Sequence, residues 1–276
     1  VTHVRFRVGA KQNGGNDWAS VDDVLLFLNS GDFVSPSVSS TNIINDQTIL
    51  VSFDEPLTSV SVSLEDYTVE STSLNQAADE LTINLTNPLL DGDYFNLYID
   101  SAIDSVNNET IDTLYGLVHN DFIGNLVITE INYNDPGTYD NLEYFEIYNN
   151  GSETYPLGGL EFNEGISITF PEHDLAAGDY VVVAKAAFFF SDACGALPYG
   201  CGFQSYFGFA PDFEIASGNL SNGGEDLICI NTNGDQVIFV DYDDANGWPE
   251  NADGYGYSIS LCDPSADPND PSNWSL

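Results

Sequence analysis

The stretch Leu142–Gly159, LEYFEIYNNGSETYPLGG, opens with aromatic and aliphatic side chains that predict a β-strand ending in a turn at Asn-Asn-Gly. Because side chains alternate between the two faces of a strand, Glu143 and Glu146 are predicted to point to opposite sides. A third glutamate, Glu130, lies in the preceding strand-like run LVITEINYN. If the two runs pair as a hairpin, Glu130 comes to lie beside one of the other two glutamates.

These glutamates admit three interpretations: fold architecture, cation ligation or acid/base catalysis. A retaining glycosidase needs two carboxyl groups about 5–5.5 Å apart in one cleft, and an inverting one about 6.5–9.5 Å. The strand period opposes a catalytic pair made of Glu143 and Glu146, so only a cross-strand pair with Glu130 meets this requirement.

An ordered series of motifs surrounds this stretch over about residues 120–276. Its elements are ITEINY, EYFEIYN, LGG, FP, LAAGDYVVVA, LSNGGE, DYDD followed by WP, ADGYGYSI and the terminal DPSNW. The series resembles the bacterial lamin-tail domain, an Ig-like β-sandwich of secreted and envelope proteins. The resemblance implies a non-catalytic module in which strand carboxylates satisfy buried backbone N–H groups. An aromatic, cysteine-bearing insertion at about 188–213 departs from the family pattern.

A second resemblance covers about residues 35–118. The order of strand-like runs, with FDEPL early and the loop DSVNN late, resembles the bacterial Ig-like domains of surface-layer proteins. Phe53, Pro56, Tyr67, Tyr94 and the segment 104–107 hold the matching places. In the late loop Asn replaces the usual Gly, and Asn also tolerates a left-handed backbone.

Residues 1–34 contain two strand-like runs, which are too few to bury a core alone. The pattern WASVDDV, from Trp18 to Val24, resembles the last strands of jelly-roll adhesion and carbohydrate-binding modules. We therefore expect the closing hairpin of a further, truncated β-sandwich and a longer polypeptide upstream. The predicted fold is all-β: this hairpin, then an Ig-like sandwich (35–118), then a lamin-tail-like sandwich (119–276). One short helix is predicted near Lys185–Phe190.

The charge of the chain restricts its partners. With 44 Asp and Glu against 4 Lys and Arg, the formal net charge is −40. Such a surface repels nucleic acid and anionic lipid, so neither is an expected partner. No apolar run is long enough for a membrane span. Hydrophobic residues at 42% and aromatic residues at 13% are nevertheless sufficient for packed cores.

The acidic loops make Ca²⁺ the most credible cofactor, because Ca²⁺ takes six to eight oxygen ligands. None matches the EF-hand spacing, and the competing interpretation is ordinary solvated turn residues. The candidate ligands are Asp22, Asp23, Asp241, Asp243, Asp244, Asp263, Asp267 and Asp270.

The cysteines and histidines carry separate expectations. Cys194 and Cys201 bracket a Gly- and Pro-containing loop that suits a local disulfide, and Cys229 can bridge Cys262 if their strands are neighbours. Free buried thiols are the alternative. The three histidines, His3, His119 and His173, are predicted to be isolated surface residues without a nucleophile beside them.

The insertion holds more aromatic residues than a small sandwich can bury. Some are expected to pack as a satellite cluster, and the rest to form an exposed contact surface. The candidate interface residues are Phe188, Phe189, Phe190, Tyr199, Phe203, Tyr206, Phe207 and Phe209.

Two functions remain open at this point. The first is a non-enzymatic structural or adhesive segment of a large bacterial cell-surface protein, such as a stalk, adhesin or appendage subunit. Its expected partner is a protein or glycan on a cell surface, with self-association as a further expectation. The alternative is an accessory binding region of a secreted multidomain hydrolase.

Overall fold

The computed structural model describes residues 32–134, 142–188 and 202–276, together with the backbone of two short strands near the start. These strands, β1 (Gly9–Lys11) and β2 (Trp18–Ser20), pair antiparallel as a hairpin. Asp22 and Asp23 lie outside the described residues. The assignment of this hairpin to a jelly-roll domain stays a prediction.

The next domain is a sandwich of seven antiparallel strands. One sheet has the order β3-β4-β7-β6 and the other β5-β8-β9. The strands are β3 (Val38–Asn45), β4 (Thr48–Phe53), β5 (Leu57–Leu64), β6 (Val69–Leu74), β7 (Glu80–Leu85), β8 (Tyr94–Asp104) and β9 (Glu109–Val118).

Strict alternation of side chains builds the core of this N-terminal sandwich. Ile49 and Val51 of β4 point inward and pack with Leu97 and Ile99 of the facing sheet. The loop after β8 turns through Asn107, whose φ of 66° is left-handed. Asn107, which stands where the family pattern has Gly, is therefore compatible with the turn, because Asn tolerates this backbone region.

The C-terminal domain is a second sandwich. A six-stranded sheet, ordered β17-β16-β11-β10-β21-β22, faces a five-stranded sheet, ordered β18-β14-β13-β19-β20, and β12 pairs with β15 at the side. The strands are β10 (Leu126–Asn132), β11 (Tyr144–Asn149), β12 (Tyr155–Pro156), β13 (Glu161–Phe162), β14 (Ile166–Thr169), β15 (Asp174–Leu175), β16 (Tyr180–Ala184), β17 (Phe213–Glu214), β18 (Ser217–Gly218), β19 (Glu225–Ile230), β20 (Gln236–Tyr242), β21 (Ile259–Leu261) and β22 (Trp274–Ser275).

Its core lies between these two sheets. Phe145 and Ile147 of β11 pack with Leu227 and Val240 of the opposite sheet. The all-β class and the tandem sandwiches are thus confirmed. The helix is not where the sequence placed it: 185–188 is irregular, and the helix is α1 (Phe203–Phe207). The carbonyls of Ala186 and Ala187 accept the first free N–H groups of α1, which holds 185–188 out of a helix.

The two sandwiches meet around the segment between β9 and β10. Asn120 is fully buried, and its amide donates to the carbonyls of Pro156 and Gly158, both at 2.8 Å. The Tyr94 hydroxyl reaches the Phe170 carbonyl at 2.7 Å. We call this set of contacts the junction. It joins the N-terminal sandwich to the loops around β12 in the C-terminal one.

Candidate functional site

A bulge in β10 brings two of the three glutamates together. It lies just before Glu130, and beyond it Glu130 stands directly opposite Glu146 of β11. The Glu130 carboxylate accepts hydrogen bonds from Tyr144 and Ser258, both at 2.5 Å, and Glu146 accepts one from Thr129 at 2.6 Å. The predicted cross-strand pairing is confirmed, but hydroxyl groups of the fold already engage both carboxylates.

Burial and the neighbouring Glu130 charge raise the pKa of Glu146 above its usual range. Burial disfavours the charged form of a carboxyl group, and a like charge nearby adds to that effect. The hydroxyl groups around the pair offset part of this repulsion by donating to it.

Glu143 serves the backbone, as the family resemblance implied. It is buried on the opposite face from Glu146, and one carboxylate oxygen accepts the Leu220 N–H at 2.8 Å. Glu225 plays a similar part: it accepts the Ser221 N–H at 2.8 Å and the Tyr242 hydroxyl at 3.1 Å. These carboxylates satisfy donors that the strand ladders leave unpaired.

The predicted calcium ligands near the C-terminus each stabilise their own turn. Asp263, Asp267 and Asp270 accept the N–H two residues further on, at 2.9, 3.0 and 2.9 Å. Hydrogen bonds from Ser272 lower the pKa of Asp270. The three carboxylates thus make the hydrogen bonds of turn residues, and their ligation of Ca²⁺ stays a prediction.

The aspartates after β20 are also engaged locally. Asp243 accepts the Ala245 N–H at 2.9 Å and the Asn246 amide at 2.8 Å, and these bonds lower its pKa. The pKa of Asp244 is raised by its interaction with Asp243, and that of Asp241 by burial and by Asp226. Among the described residues these aspartates form no three-ligand group, so Ca²⁺ binding here stays a prediction.

The predicted Cys229–Cys262 disulfide is wrong: both residues are free thiols. Cys229 lies in β19 and Cys262 follows β21, and these strands belong to different sheets that face each other across the core. Cys229 points into that core while Cys262 is exposed. The pair Cys194 and Cys201 lies outside the described residues.

The aromatic insertion divides into a buried anchor and an exposed surface. Phe203 is 1% exposed and packs on Tyr144 with ring centroids 5.3 Å apart. The prediction that Phe203 belongs to an exposed interface is therefore wrong, because α1 packs this side chain onto the outer face of β11 and β16. The exposed residues, which we call the aromatic surface, are Phe188, Tyr206, Phe207 and Phe209. Phe189, Phe190 and Tyr199 lie outside the described residues.

His119 departs most from the sequence prediction. It is only 2% exposed, and its Nε2 lies 3.8 Å from an oxygen of Asp91 and 3.9 Å from an oxygen of Asp121. One ligand atom from each of the three residues lies within 4.8 Å of the others. Asp91 comes from the loop before β8, and the other two follow β9. The sequence showed only a histidine at a domain boundary, and no local spacing connected it to Asp91.

A second acidic group, also missed from the sequence, lies at the start of the N-terminal sandwich. It consists of Asp32, Glu55 and Asp104. The Asp104 carboxylate is buried and accepts the Val106 and Asn108 N–H groups, both at 2.8 Å. Burial, and then the charges of Asp32 and Asp104, raise the pKa of Glu55.

An open cleft of about 630 Å³ lies where the sandwiches meet. Thr41, Val118, Glu161 and Thr232 are among its lining residues. Its lining contains one carboxylate and no histidine, cysteine or basic side chain.

Residues 122–257 match the family model described as Lamin Tail Domain. The C-terminal sandwich is a lamin tail domain. No curated protein matches the chain. The facing glutamates and the aromatic surface both lie inside the matched range of the lamin tail domain. The last strand, β22, lies beyond it and still adds an edge to the six-stranded sheet through Leu261 and Trp274.

Solved structures show weaker similarities. The chain is similar to the N-terminal part of the bacterial S-layer protein SbsC, with 18% identity and a TM-score of 0.29, covering 54% of this chain and 40% of that one. Against domains 1–6 of SbsC the identity is 12% and the TM-score 0.29, and the match covers 55% of this chain and 32% of that one. A DUF4876 family protein from Bacteroides thetaiotaomicron VPI-5482 has 16% identity and a TM-score of 0.26, and the match covers 64% of each chain. The chain thus spans less than two thirds of each, and superpositions at this level carry no functional argument.

In the part of the chain that the structure describes, no helix has the length and apolar character needed to cross a bilayer.

The one Lys or Arg of the lamin tail domain, Lys185, lies against the Gly218 carbonyl.

Proposed function

We propose that this chain is a non-catalytic structural segment of a secreted or cell-surface protein, in which two sandwiches are held in a fixed relation. The single observation that carries the proposal is the junction. Its central residue, Asn120, bonds to the lamin tail domain through both its side chain and its backbone. The side-chain amide donates to the carbonyls of Pro156 and Gly158, and the backbone N–H donates to the Thr232 hydroxyl at 2.8 Å.

Backbone groups tighten the same connection. The Thr232 hydroxyl in turn donates to the Asn120 carbonyl at 2.7 Å, and the Thr232 N–H reaches the same carbonyl at 3.0 Å. A linker residue whose amide, N–H and carbonyl all bond to one domain has little freedom to swing. Linkers between independent domains are instead exposed and make few contacts across the boundary.

The hydrogen bonding of three glutamates in the lamin tail domain supports a structural role. Glu130, Glu143 and Glu225 all accept hydrogen bonds from groups that hold strands and turns together. A general acid or base must instead reach a substrate proton in an accessible pose.

An extracellular location is supported by the charge. A net charge of −40 on 276 residues repels itself strongly unless dissolved ions screen it. At an ionic strength near 0.5 M the Debye length falls to about 4–5 Å, which leaves mainly contact-range repulsion. Saline surroundings outside a cell provide this screening.

We further propose that the aromatic surface of the lamin tail domain contacts a protein or glycan on a cell surface. Tyr206 is 63% exposed, and its ring packs at 5.0 Å from Phe207, which rests on the buried Phe203 at 4.6 Å. Rigid, exposed aromatic rings of this kind are typical anchors of protein and glycan contacts, since they lose little side-chain freedom on binding.

The test uses a matched pair of variants. Tyr206→Ser removes an aromatic ring from the aromatic surface, and Tyr180→Ser removes an equally exposed ring (60%) from β16. Binding of the purified chain to bacterial cells and to a glycan array is measured for both, with light scattering to report self-association. We expect Tyr206→Ser to weaken binding or association about 10-fold or more and Tyr180→Ser to leave it unchanged. Equal behaviour of the two variants would exclude this surface.

The structural proposal has its own test. The chain is assayed against generic esterase, phosphatase, nuclease and glycosidase substrates, together with Glu130→Gln and Glu146→Gln variants. We expect no turnover above buffer for any form. Turnover by the unmodified chain that either variant abolishes would overturn the non-catalytic assignment.

A further inference from the structure

We propose that Asp91, His119 and Asp121 bind one divalent transition-metal ion, of the Zn²⁺ type, beside the junction. The proposal concerns a site separate from the predicted calcium loops and independent of what the aromatic surface binds. It rests on the position of His119, on the charges around it and on the backbone contacts that hold the three residues.

The buried His119 ring faces two carboxylates without bonding to either. Its Nε2 is almost equidistant from Asp91 and Asp121, at 3.8 and 3.9 Å. A hydrogen bond from nitrogen to oxygen needs about 2.7–3.2 Å, so neither contact is one. The other ring nitrogen, Nδ1, is buried and has no partner among the described residues.

The spacing fits ligands arranged around one ion. Zinc binds imidazole nitrogen and carboxylate oxygen at about 2.0–2.2 Å, which puts neighbouring ligand atoms of a tetrahedral site roughly 3.4 Å apart. The two separations from Nε2 of His119, at 3.8 and 3.9 Å, exceed this by a few tenths of an ångström. Asp121 is nearly half exposed and can close that gap by a small side-chain rotation.

The charges call for a cation that the chain does not supply. The Asp91 and Asp121 carboxylates are held close together, with one oxygen of each within 4.8 Å of the other. The sequence contains only 4 Lys and Arg residues, at Arg5, Arg7, Lys11 and Lys185. Lys185 is engaged with the Gly218 carbonyl, and among the described residues the ion-pair contacts of the two aspartates come from His119 alone.

The donor set selects the class of metal. Imidazole nitrogen combined with carboxylate oxygen suits Zn²⁺ and related transition metals, whereas Ca²⁺ and Mg²⁺ prefer oxygen ligands alone. The group Asp32, Glu55 and Asp104 offers only oxygens and provides an internal comparison.

The backbone already holds the three residues in place. The Asp121 N–H donates to the Asp91 carboxylate at 2.9 Å, and the Gly92 N–H donates to the His119 carbonyl at 2.8 Å. A bound ion would therefore tie the loop before β8 to the segment that carries Asn120. The exposed side of Asp121 leaves a path for the ion and positions for water ligands. The ion would stiffen the junction at its outer edge.

The test measures Zn²⁺ binding to the chelator-treated chain by competition with a zinc indicator. The buffer contains 0.5 M NaCl and excess Mg²⁺ and Ca²⁺, which occupy the acidic surface nonspecifically. We expect one Zn²⁺ per chain. Asp121→Ala should weaken binding more than about 10-fold, because the altered side chain is a ligand. Asp32→Ala, in the oxygen-only group, should leave the affinity unchanged.

A second measurement separates ligation from misfolding. Asp121 is exposed enough for Asp121→Ala to fold, and its thermal unfolding without metal is compared with that of the unmodified chain. Hydrogen exchange at Gly92 and Asp121 should slow when Zn²⁺ is added to the unmodified chain and stay constant in Asp121→Ala. Absence of a stoichiometric site, or equal weakening by Asp121→Ala and Asp32→Ala, would overturn the proposal.

Discussion

Replacing Gly158 with Ala tests the junction at its closest backbone approach. A Cβ at this position would lie 2.7 Å from the Gly92 carbonyl carbon and 2.9 Å from its Cα, and it would overlap the carbonyl oxygen. Gly92 resists displacement, because its backbone is left-handed, with a φ of +82°, and its N–H donates to the His119 carbonyl at 2.8 Å. The loop and the lamin tail domain must therefore separate.

The cost follows from two opposing effects. Inserting a methyl group into a packed contact destabilises by about 1–3 kcal/mol. Replacing Gly by Ala also restricts the unfolded chain, which stabilises the native state by about 0.4–1 kcal/mol. We expect a net loss of about 1–2 kcal/mol, or roughly 2–8 °C in Tm for a domain of this size.

The assay is guanidinium and thermal unfolding followed by intrinsic fluorescence. Gly223→Ala is the matched control, since a Cβ there meets no atom within 4 Å and the backbone is not left-handed. The control should be neutral or slightly stabilised. If Gly158→Ala proves as stable as Gly223→Ala, the two sandwiches do not touch at this point and the junction is described incorrectly.

Three further predictions concern the lamin tail domain. Because the pKa of Glu146 is raised on folding, its ionisation destabilises the native state as the pH rises through and above the ordinary carboxyl range. Glu146→Gln should therefore be at least as stable as the unmodified chain at pH 7. In denaturation curves this difference in stability should vanish below about pH 4. Tyr133→Phe removes a buried hydroxyl that has no partner in the described part of the chain, and it should not destabilise the domain. Tyr242→Phe loses hydrogen bonds at 2.8 and 3.1 Å and should cost about 1–3 kcal/mol in the same assay. Thiol labelling counted by mass spectrometry should modify Cys262 in the native chain and Cys229 only on unfolding; protection of both thiols until reduction would indicate the disulfide that the structure lacks.

Short-range patterns predicted much of the fold correctly. Strand alternation and turn residues predicted the all-β class, and the family resemblances divided the chain into two tandem sandwiches. Asn107 takes the left-handed turn for which an Asn is suited. Pairing of the Glu130 and Glu146 strands was predicted because a hairpin joins neighbouring runs. These features depend on residues close in sequence, where geometry follows from the chain itself.

Long-range arrangement accounts for the errors. The free state of Cys229 could not be predicted, because strand order, not strand identity, decides which thiols meet. Phe203 was assigned to the surface, since nothing local indicates that α1 folds back on Tyr144. His119 was assigned to the surface because its neighbours come from a loop that is distant in sequence.

The most direct test of the fixed junction is ¹⁵N relaxation of the purified chain, read separately for amides of the two sandwiches. Inter-domain motion is the usual expectation where the contact between domains is small and polar, so the outcome distinguishes the two cases. The Tyr94–Phe170 hydrogen bond and the paired groups around Asn120 predict a single rotational correlation time shared by both sandwiches. Two different, shorter correlation times, one for each sandwich, would contradict a fixed junction and with it the proposed structural role.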